Sequence, residues 1–245
     1  MAVKAVFFDA AGTLIKPSRP VGESYAAAAQ KFGVSISPSE ISSRFGACFK
    51  SAPPLAFPGE RPEKIPTLEF DWWKRLVARI FEPLGHFYDF DDFFMTLFSY
   101  FARPESWTLY PEARETLAGL EKRGLMVSVI SNFDSRLLPI LDGLGVAKHF
   151  EHVFISSHIG WAKPAREIFD CALTAHKINP SEAVHVGDNL DADVQGAANA
   201  GLDAVFLDRS GMRHVSAPCC IRNLGELLSL IDDQRMAKKS PEQAD

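Results

Sequence analysis

The chain has 245 residues, 47% of them apolar and 23% charged, with a formal net charge of −5. That length can bury a sizeable core in one or two domains, and the mild acidity argues against bulk nucleic-acid binding, which relies on basic patches that displace counterions. No apolar run approaches the roughly 20 residues needed to cross a bilayer.

The N-terminal apolar stretch is interrupted by Asp9 too soon for a signal peptide, and Cys48, Cys171, Cys219 and Cys220 show no C-x-x-C spacing. A reduced, cytoplasmic protein is therefore expected. Residues 3–8, VKAVFF, read as a buried strand, with DAAGT at 9–13 as the turn that leaves it. Residues 22–33 form a helix with a glycine stop, and 37–50 form another, opened by Ser37 as a cap with Glu40 three positions on. The stretch 52–66 holds five prolines and is expected to be loop. Leu68, Trp72, Leu76 and Ile80 fall four apart, while Phe90, Phe93, Phe94, Leu97 and Phe101 repeat at helical spacing. Residues 17–105 thus form an all-helical block.

Beyond it the pattern alternates: helix 111–124, strand 125–130, helix 134–145, strand 152–156, helix 165–177, strand 183–187, helix 191–201, strand 203–207 and helix 224–234. This alternation predicts the α/β class, with a Rossmann-like parallel sheet covered by helices on both faces. Residues 236–245 form a polar tail, expected to be disordered. The predicted organisation is a core of residues 1–16 and 106–235. The block 17–105 is inserted as a helical cap over the carboxyl ends of the strands, where open α/β sheets bind ligands.

Four strand ends present reactive side chains: Asp9 with Thr13, Ser131 with Asn132, Lys163 ahead of a helix, and Asp188 followed by Asp191 and Asp193. In a parallel sheet these ends share one edge, so the groups can converge on phosphoryl transfer. Asp9 would attack phosphorus to form an aspartyl phosphate. Asp9 and Asp188 would hold Mg²⁺, a hard cation that takes a few carboxylates and keeps waters. Ser131, the Asn132 backbone N–H and Lys163 would cradle the transferring oxygens, Asp193 would orient Lys163, and Thr13 would donate to phosphate or buttress the loop. GLG at 143–145 follows a helix and reads as a C-cap rather than a dinucleotide fingerprint, and the seven histidines show no metal-ligand spacing.

Taken in order, FFDAAGTL, VISN, KPAREIF and GDNLDADVQGAANAG resemble the four motifs of the haloacid dehalogenase (HAD) superfamily of hydrolases. DWWKRLV and SNFDSRLLPIL are similar to the branch named for the haloacid dehalogenase-like hydrolase domain-containing protein 3. The resemblance implies a Mg²⁺-dependent hydrolase of a small phosphorylated compound, with a cap inserted after the first motif. Family phosphatases carry D-x-D in that motif, the second Asp serving as general acid and base; here Ala11 stands in its place, and only its backbone carbonyl could still be a metal ligand. Two other readings stay open. Ala11 suits a pseudoenzyme that binds a phosphorylated ligand or a partner without turnover. DAAGT also matches the D-x-A-G-T of phosphonoacetaldehyde hydrolases, for whose imine-forming cap lysine Lys50 is the candidate. Dehalogenases lack the carboxylate that Asp188 supplies, which argues against that chemistry. Substrate identity and oligomeric state are not encoded in any readable pattern.

Overall fold

The computed structural model describes residues 3–84, 87–211 and 219–237. Strand β1 (Ala5–Phe8) is buried along its whole length. Its two-residue period sends Val6 and Phe8 into one hydrophobic cluster and Ala5 and Phe7 into another. A strand apolar on both sides belongs at the centre of a covered sheet, and β1 lies between β4 (Met126–Ser131) and β6 (Ala183–Gly187), parallel to both. β5 (His152–Ile155) extends the sheet beyond β4, while β7 (Asp203–Leu207) and β8 (Cys220–Ile221) extend it beyond β6. The six-stranded order is β5-β4-β1-β6-β7-β8, parallel throughout.

Helices α5 (Ala113–Lys122), α6 (Leu137–Gly143) and α10 (Glu226–Ala237) cover the face that receives Val6 and Phe8, through Leu117, Ile140 and Leu227. Helices α8 (Arg166–His176) and α9 (Gly196–Ala200) cover the other, through Phe169 and Ala197. From β1 the chain builds first toward β4 and β5, then returns to build β6 to β8 on the opposite side. The direction of winding reverses at β1, and a crevice opens beyond its carboxyl end.

Between β1 and this later run lie α1 (Val21–Lys31), α2 (Pro38–Lys50), α3 (Ile65–Phe81) and α4 (Phe90–Phe101). As the spacing predicts, Ser37 caps α2 by accepting from the Glu40 N–H at 3.2 Å. Tyr25, Ile41, Trp72, Leu76, Ile80, Phe93 and Leu97 form a hydrophobic cluster separate from the two beside the sheet. The aromatic wealth of residues 70–101 is thus internal packing, as in the Phe81–Phe93 edge contact at 4.9 Å. No helix among the described residues is long and apolar enough to cross a membrane.

Polar contacts fasten α3 to the sheet. Buried Glu69 accepts, on one carboxylate oxygen, from the Ser135 N–H (3.0 Å), the Ser135 hydroxyl (2.9 Å) and the Ser157 hydroxyl (2.5 Å). Beside it the Trp73 indole N–H donates to Asp134 at 2.6 Å. Asp134 also holds Arg136 at 2.7 Å, and that guanidinium lies over the rings of Phe98 and Trp73. DWWKRLV and SNFDSRLLPIL therefore contribute the two sides of one junction.

Five features differ from the sequence reading. A two-stranded antiparallel ribbon, β2 (Ile15–Pro17) with β3 (Trp107–Leu109), stands at the neck of the helical block. Three-residue strands carry too little period to be read, and their pairing is long-range. The two-residue β8 and the single turn α7 (Ser156–Ile159) escape for the same reason. α3 begins at Ile65, inside the proline-rich stretch, because Pro66 sits in its first turn, where a missing N–H costs nothing. Finally, α10 runs to Ala237, so the first two positions of the predicted tail are helical; residues 238–245 lie outside the described ones.

Replacing Glu69 with Ala removes the shared acceptor of the buried Ser157 hydroxyl and of the half-buried Ser135 N–H and hydroxyl. The expected loss is about 2 kcal/mol or more in urea unfolding. A loss under about 0.5 kcal/mol would mean that apolar contacts alone hold α3 in place.

Candidate active site

Asp9 follows β1 directly, and its N–H continues the ladder to the Val186 carbonyl at 2.9 Å. Its carboxylate is buried at the sheet edge. The turn after it is shaped by Gly12, whose φ of +101° suits glycine and whose missing side chain matters as much: a Cβ there would overlap the Asp188 carboxylate. Arg209 closes the turn from outside. Its guanidinium donates to the carbonyls of Gly12 (3.2 Å) and Thr13 (2.7 Å), pairs with Glu112 at 2.7 Å, and lies 3.4 Å above the Tyr110 ring.

Lys163 reaches the same point from the opposite side of the sheet. Its ammonium is buried, donating to Asp9 Oδ1 at 2.9 Å and to Asp193 Oδ1 at 2.6 Å. The Ser131 hydroxyl donates to the same Asp9 oxygen at 3.3 Å. Asn132 commits its side-chain amide to the backbone of Lys163. Its Oδ1 accepts from the Lys163 N–H at 2.7 Å and its Nδ2 donates to the Lys163 carbonyl at 2.8 Å, so one amide grips both sides of the lysine's backbone. Thr13 is fully buried, with its hydroxyl directed at Asp188 Oδ1, 3.4 Å away. Of its two expected roles, that geometry favours the buttress.

Asp193 is positioned by a π-helical turn, Leu190–Gln195. Asn189 starts it by accepting from the N–H groups of Asp191 and Ala192, and the wide turn carries Asp193 inward while Asp191 stays exposed. Asp193 then accepts from the Asn189 N–H at 3.0 Å and from His185 Nε2 at 3.0 Å. Gly187 makes the approach possible, since a Cβ there would collide with the Asp193 carboxylate. His185 escapes the motif-based reading, because a histidine amid valines looks like an ordinary interior residue. The informative signal is its place two residues before Gly187 on a strand whose end carries Asp188. Arg209 lies outside the four motifs, and no local pattern marks it.

The electrostatics follow from burial and spacing. Burial alone would push Asp193 up, but the Lys163 ammonium and then His185 hold it well below the usual carboxylate range. Burial would lower Lys163, and Asp193 and Asp9 more than reverse that, so it is charged. Asp9 is raised, chiefly by burial and against the pull of Lys163. Burial lowers His185, leaving a neutral imidazole; with its Nε2 hydrogen given to Asp193, Nδ1 has no partner. Asp188 is open to solvent but crowded enough to lose hydration. Burial, then Asp9, then Asp193 push it up to about 7.

Oxygens of Asp9, Asp188 and Asp193 lie within 4.8 Å of one another, close enough to hold a metal ion. Charge supports that use, since three carboxylates face the single ammonium of Lys163 and a divalent cation would balance the excess. Asp193 is the least available of the three, being filled by Lys163, His185 and Asn189. The Ala11 carbonyl receives none of the loop's backbone hydrogen bonds, and the methyl of Ala11 is exposed. Lys163, Asp188, Asn132 and Asp191 line a cleft of about 750 Å³, and Lys50 lines it from the end of α2.

The fold and the strand-edge carboxylates define a hydrolase, and the chain belongs to the haloacid dehalogenase-like hydrolases, whose family model matches residues 3–201. It is 33% identical over 243 residues, 95% of each chain, to the haloacid dehalogenase-like hydrolase domain-containing protein 3 of Mus musculus. It is 41% identical over 116 residues to a phosphoserine phosphatase of Thermus thermophilus, a match spanning 47% of this chain and 46% of that one. The crystal structure of an HAD phosphatase from Thermococcus onnurineus superposes with a TM-score of 0.65 at 26% identity, over 94% of this chain and 98% of that one.

The raised Asp188 gives a pH prediction. Its folded-state value of about 7 exceeds the ordinary 3.8, so without metal its stability contribution is fully present below 3.8 and is lost as pH rises through 7. In EDTA at pH 8, Asp188→Asn should melt on the order of 2 °C above the parent, with a smaller advantage at pH 5. Added Mg²⁺ should raise the parent's Tm and leave the variant's almost fixed. A variant less stable than the parent at pH 8 in EDTA would contradict this electrostatic account.

Proposed function

We propose that the protein is a Mg²⁺-dependent phosphatase of small phosphorylated compounds that works through an aspartyl phosphate on Asp9. The carrying observation is the Asp9 carboxylate at the end of the central strand, with Lys163 at 2.9 Å and Ser131 at 3.3 Å on one of its oxygens. Those contacts hold one oxygen and leave the other to attack. As the Asp9–phosphorus bond forms, the bond to the leaving oxygen breaks and that oxygen keeps the electron pair. Lys163 and Ser131 lie where negative charge builds on the phosphoryl oxygens, and the backbone N–H of Asn132 adds a donor there. Asp193 keeps Lys163 charged and aimed. Asp9, Asp188 and the Ala11 carbonyl would hold Mg²⁺, which when bound offsets the charge shared between carboxylate and phosphoryl group. Water then attacks phosphorus and releases inorganic phosphate, restoring Asp9. In this reading residues 17–105 act as the cap over a core of residues 1–16 and 106–235, screening the cleft from bulk water.

Ala11 sets the character of the chemistry. A positioned acid is worth roughly 10²- to 10⁴-fold, and a methyl group supplies none of it. Alkyl phosphates, whose alkoxide must be protonated, should suffer most; aryl and acyl phosphates should suffer least. Breakdown of the aspartyl phosphate should also slow, since no side chain at this position draws a proton from water. The same residue supports a second reading, a phosphate-ligand binder without turnover. The C–P hydrolase reading rests on the DAAGT match and on Lys50.

In a Mg²⁺-supplemented assay, Asp9→Asn should abolish release of phosphate from an aryl phosphate. Undiminished release would overturn the proposal, and no turnover of any phosphate by the parent would favour the binding protein. Ala11→Asp should raise turnover of alkyl phosphates at least 10-fold more than that of aryl phosphates. Equal gains would mean that position 11 is not where the leaving oxygen needs its proton.

A further inference from the structure

The wall of the cleft opposite the carboxylates is made by the last turn of α2 and the loop after it. Gly46, Phe49 and Lys50 stand at i, i+3 and i+4, so they share one helix face, and all three line the cleft. Gly46 leaves that face bare: nothing lies within 4 Å of where its Cβ would be. Phe49 is 44% exposed, an unusual state for so large an apolar group. It is nonetheless held in place, stacked on Phe45 at 5.6 Å and set edge-on to Trp72 at 6.0 Å. The Trp72 indole in turn fixes the loop by donating to the Pro53 carbonyl at 2.9 Å, and Pro53 and Pro54 continue the apolar wall.

Lys50 is the polar exception on this wall. It is exposed, and no carboxylate among the described residues forms an ion pair with it. Of the other charged side chains lining the cleft, Asp188 and Asp191 are acidic and the Lys163 ammonium is already paired with Asp9 and Asp193, so a ligand carrying a negative group besides its phosphate would find no free cation there. It would be accepted beside Lys50. A flat apolar body, meanwhile, would lie against Phe49, Pro53 and Pro54.

We propose that Phe49 and Lys50 form the subsite for the leaving group, and that this leaving group is a planar aromatic ring bearing an anionic substituent such as a carboxylate. The inference rests on the phosphatase reading and narrows it to a substrate class. It agrees with the chemistry at position 11, because a carboxylated phenoxide departs without needing a proton. An imine-forming role for Lys50 would require a carbonyl compound instead.

The test compares phenyl phosphate with 2-, 3- and 4-carboxyphenyl phosphate, with Mg²⁺, in the full-length parent, Lys50→Gln and Lys50→Glu. The parent should favour at least one carboxylated isomer by about five-fold in kcat/KM, mainly through KM. Lys50→Gln should erase that preference and Lys50→Glu should reverse it. The same ratio in all three proteins would overturn the subsite while leaving Asp9-dependent turnover of phenyl phosphate, and so the phosphatase reading, intact. If no aryl phosphate is turned over, the phosphatase reading fails, and the same four compounds are compared by calorimetric binding. Tighter binding of a carboxylated isomer that depends on the charge at position 50 supports the subsite, and equal binding overturns it.

Discussion

A buried ammonium shared between two carboxylates is the constraint from which the candidate site follows. The side chain of Lys163 is 1% exposed, and a charge so placed is tolerated only when it is paired and hydrogen-bonded. Asp9 and Asp193 supply the pairing, and each is delivered by a different device. Asp9 comes from the central strand, while Asp193 comes from a π-helical turn that glycine at 187 allows to approach. His185 and the Asn189 N–H fix Asp193, and the Asn132 amide fixes the backbone of Lys163. Stripping the ammonium of its partners would cost on the order of 3–5 kcal/mol. Buried pairs add little net stability over apolar packing, so the value of this one lies in geometry. It keeps one oxygen of Asp9 occupied and charged neighbours in fixed positions before any ligand arrives.

The same network leaves the site short of positive charge. One ammonium cannot balance three carboxylates, and Asp188, already raised by lost hydration, is pushed further by Asp9 and Asp193, up to about 7. A site poised in this way gains from a cation and from little else in the chain. Across the cleft, the helical block contributes apolar surface and one cation rather than acids. It is tied to the sheet through Glu69 and Trp73, so whatever α2 presents to the cleft is held by a defined junction rather than a free loop.

Much of this was legible in the sequence because it depends on local pattern. AVFF can only be an interior strand, and the four strand-end motifs in order predict the convergence of Asp9, Ser131, Lys163 and Asp188. The role of Asp193 beside Lys163 was also readable from the motif. What escaped depends on partners distant in the chain. β2 and β3 are too short to show a period, and their pairing joins residues 15–17 to 107–109. His185 is camouflaged as a core residue, and Arg209 acts through carbonyls nearly two hundred positions away, so no local rule singles out either one. Asn132 is read as a phosphate donor through its backbone N–H alone. Its side chain proves to be a clamp on Lys163, a detail that only the packed backbone reveals.

The central proposal is that Asp9 is a nucleophile and that position 11 offers no carboxyl to speed the second half of the reaction. Acid-quenching the Mg²⁺-loaded protein during turnover of an aryl phosphate, followed by peptide mass spectrometry, tests this most directly. The account predicts a phosphoryl group accumulating on the peptide that carries Asp9, and a lower occupancy in Ala11→Asp, where water attack is restored. Turnover with that peptide unmodified at every quench time, or with the label on another residue, would contradict it.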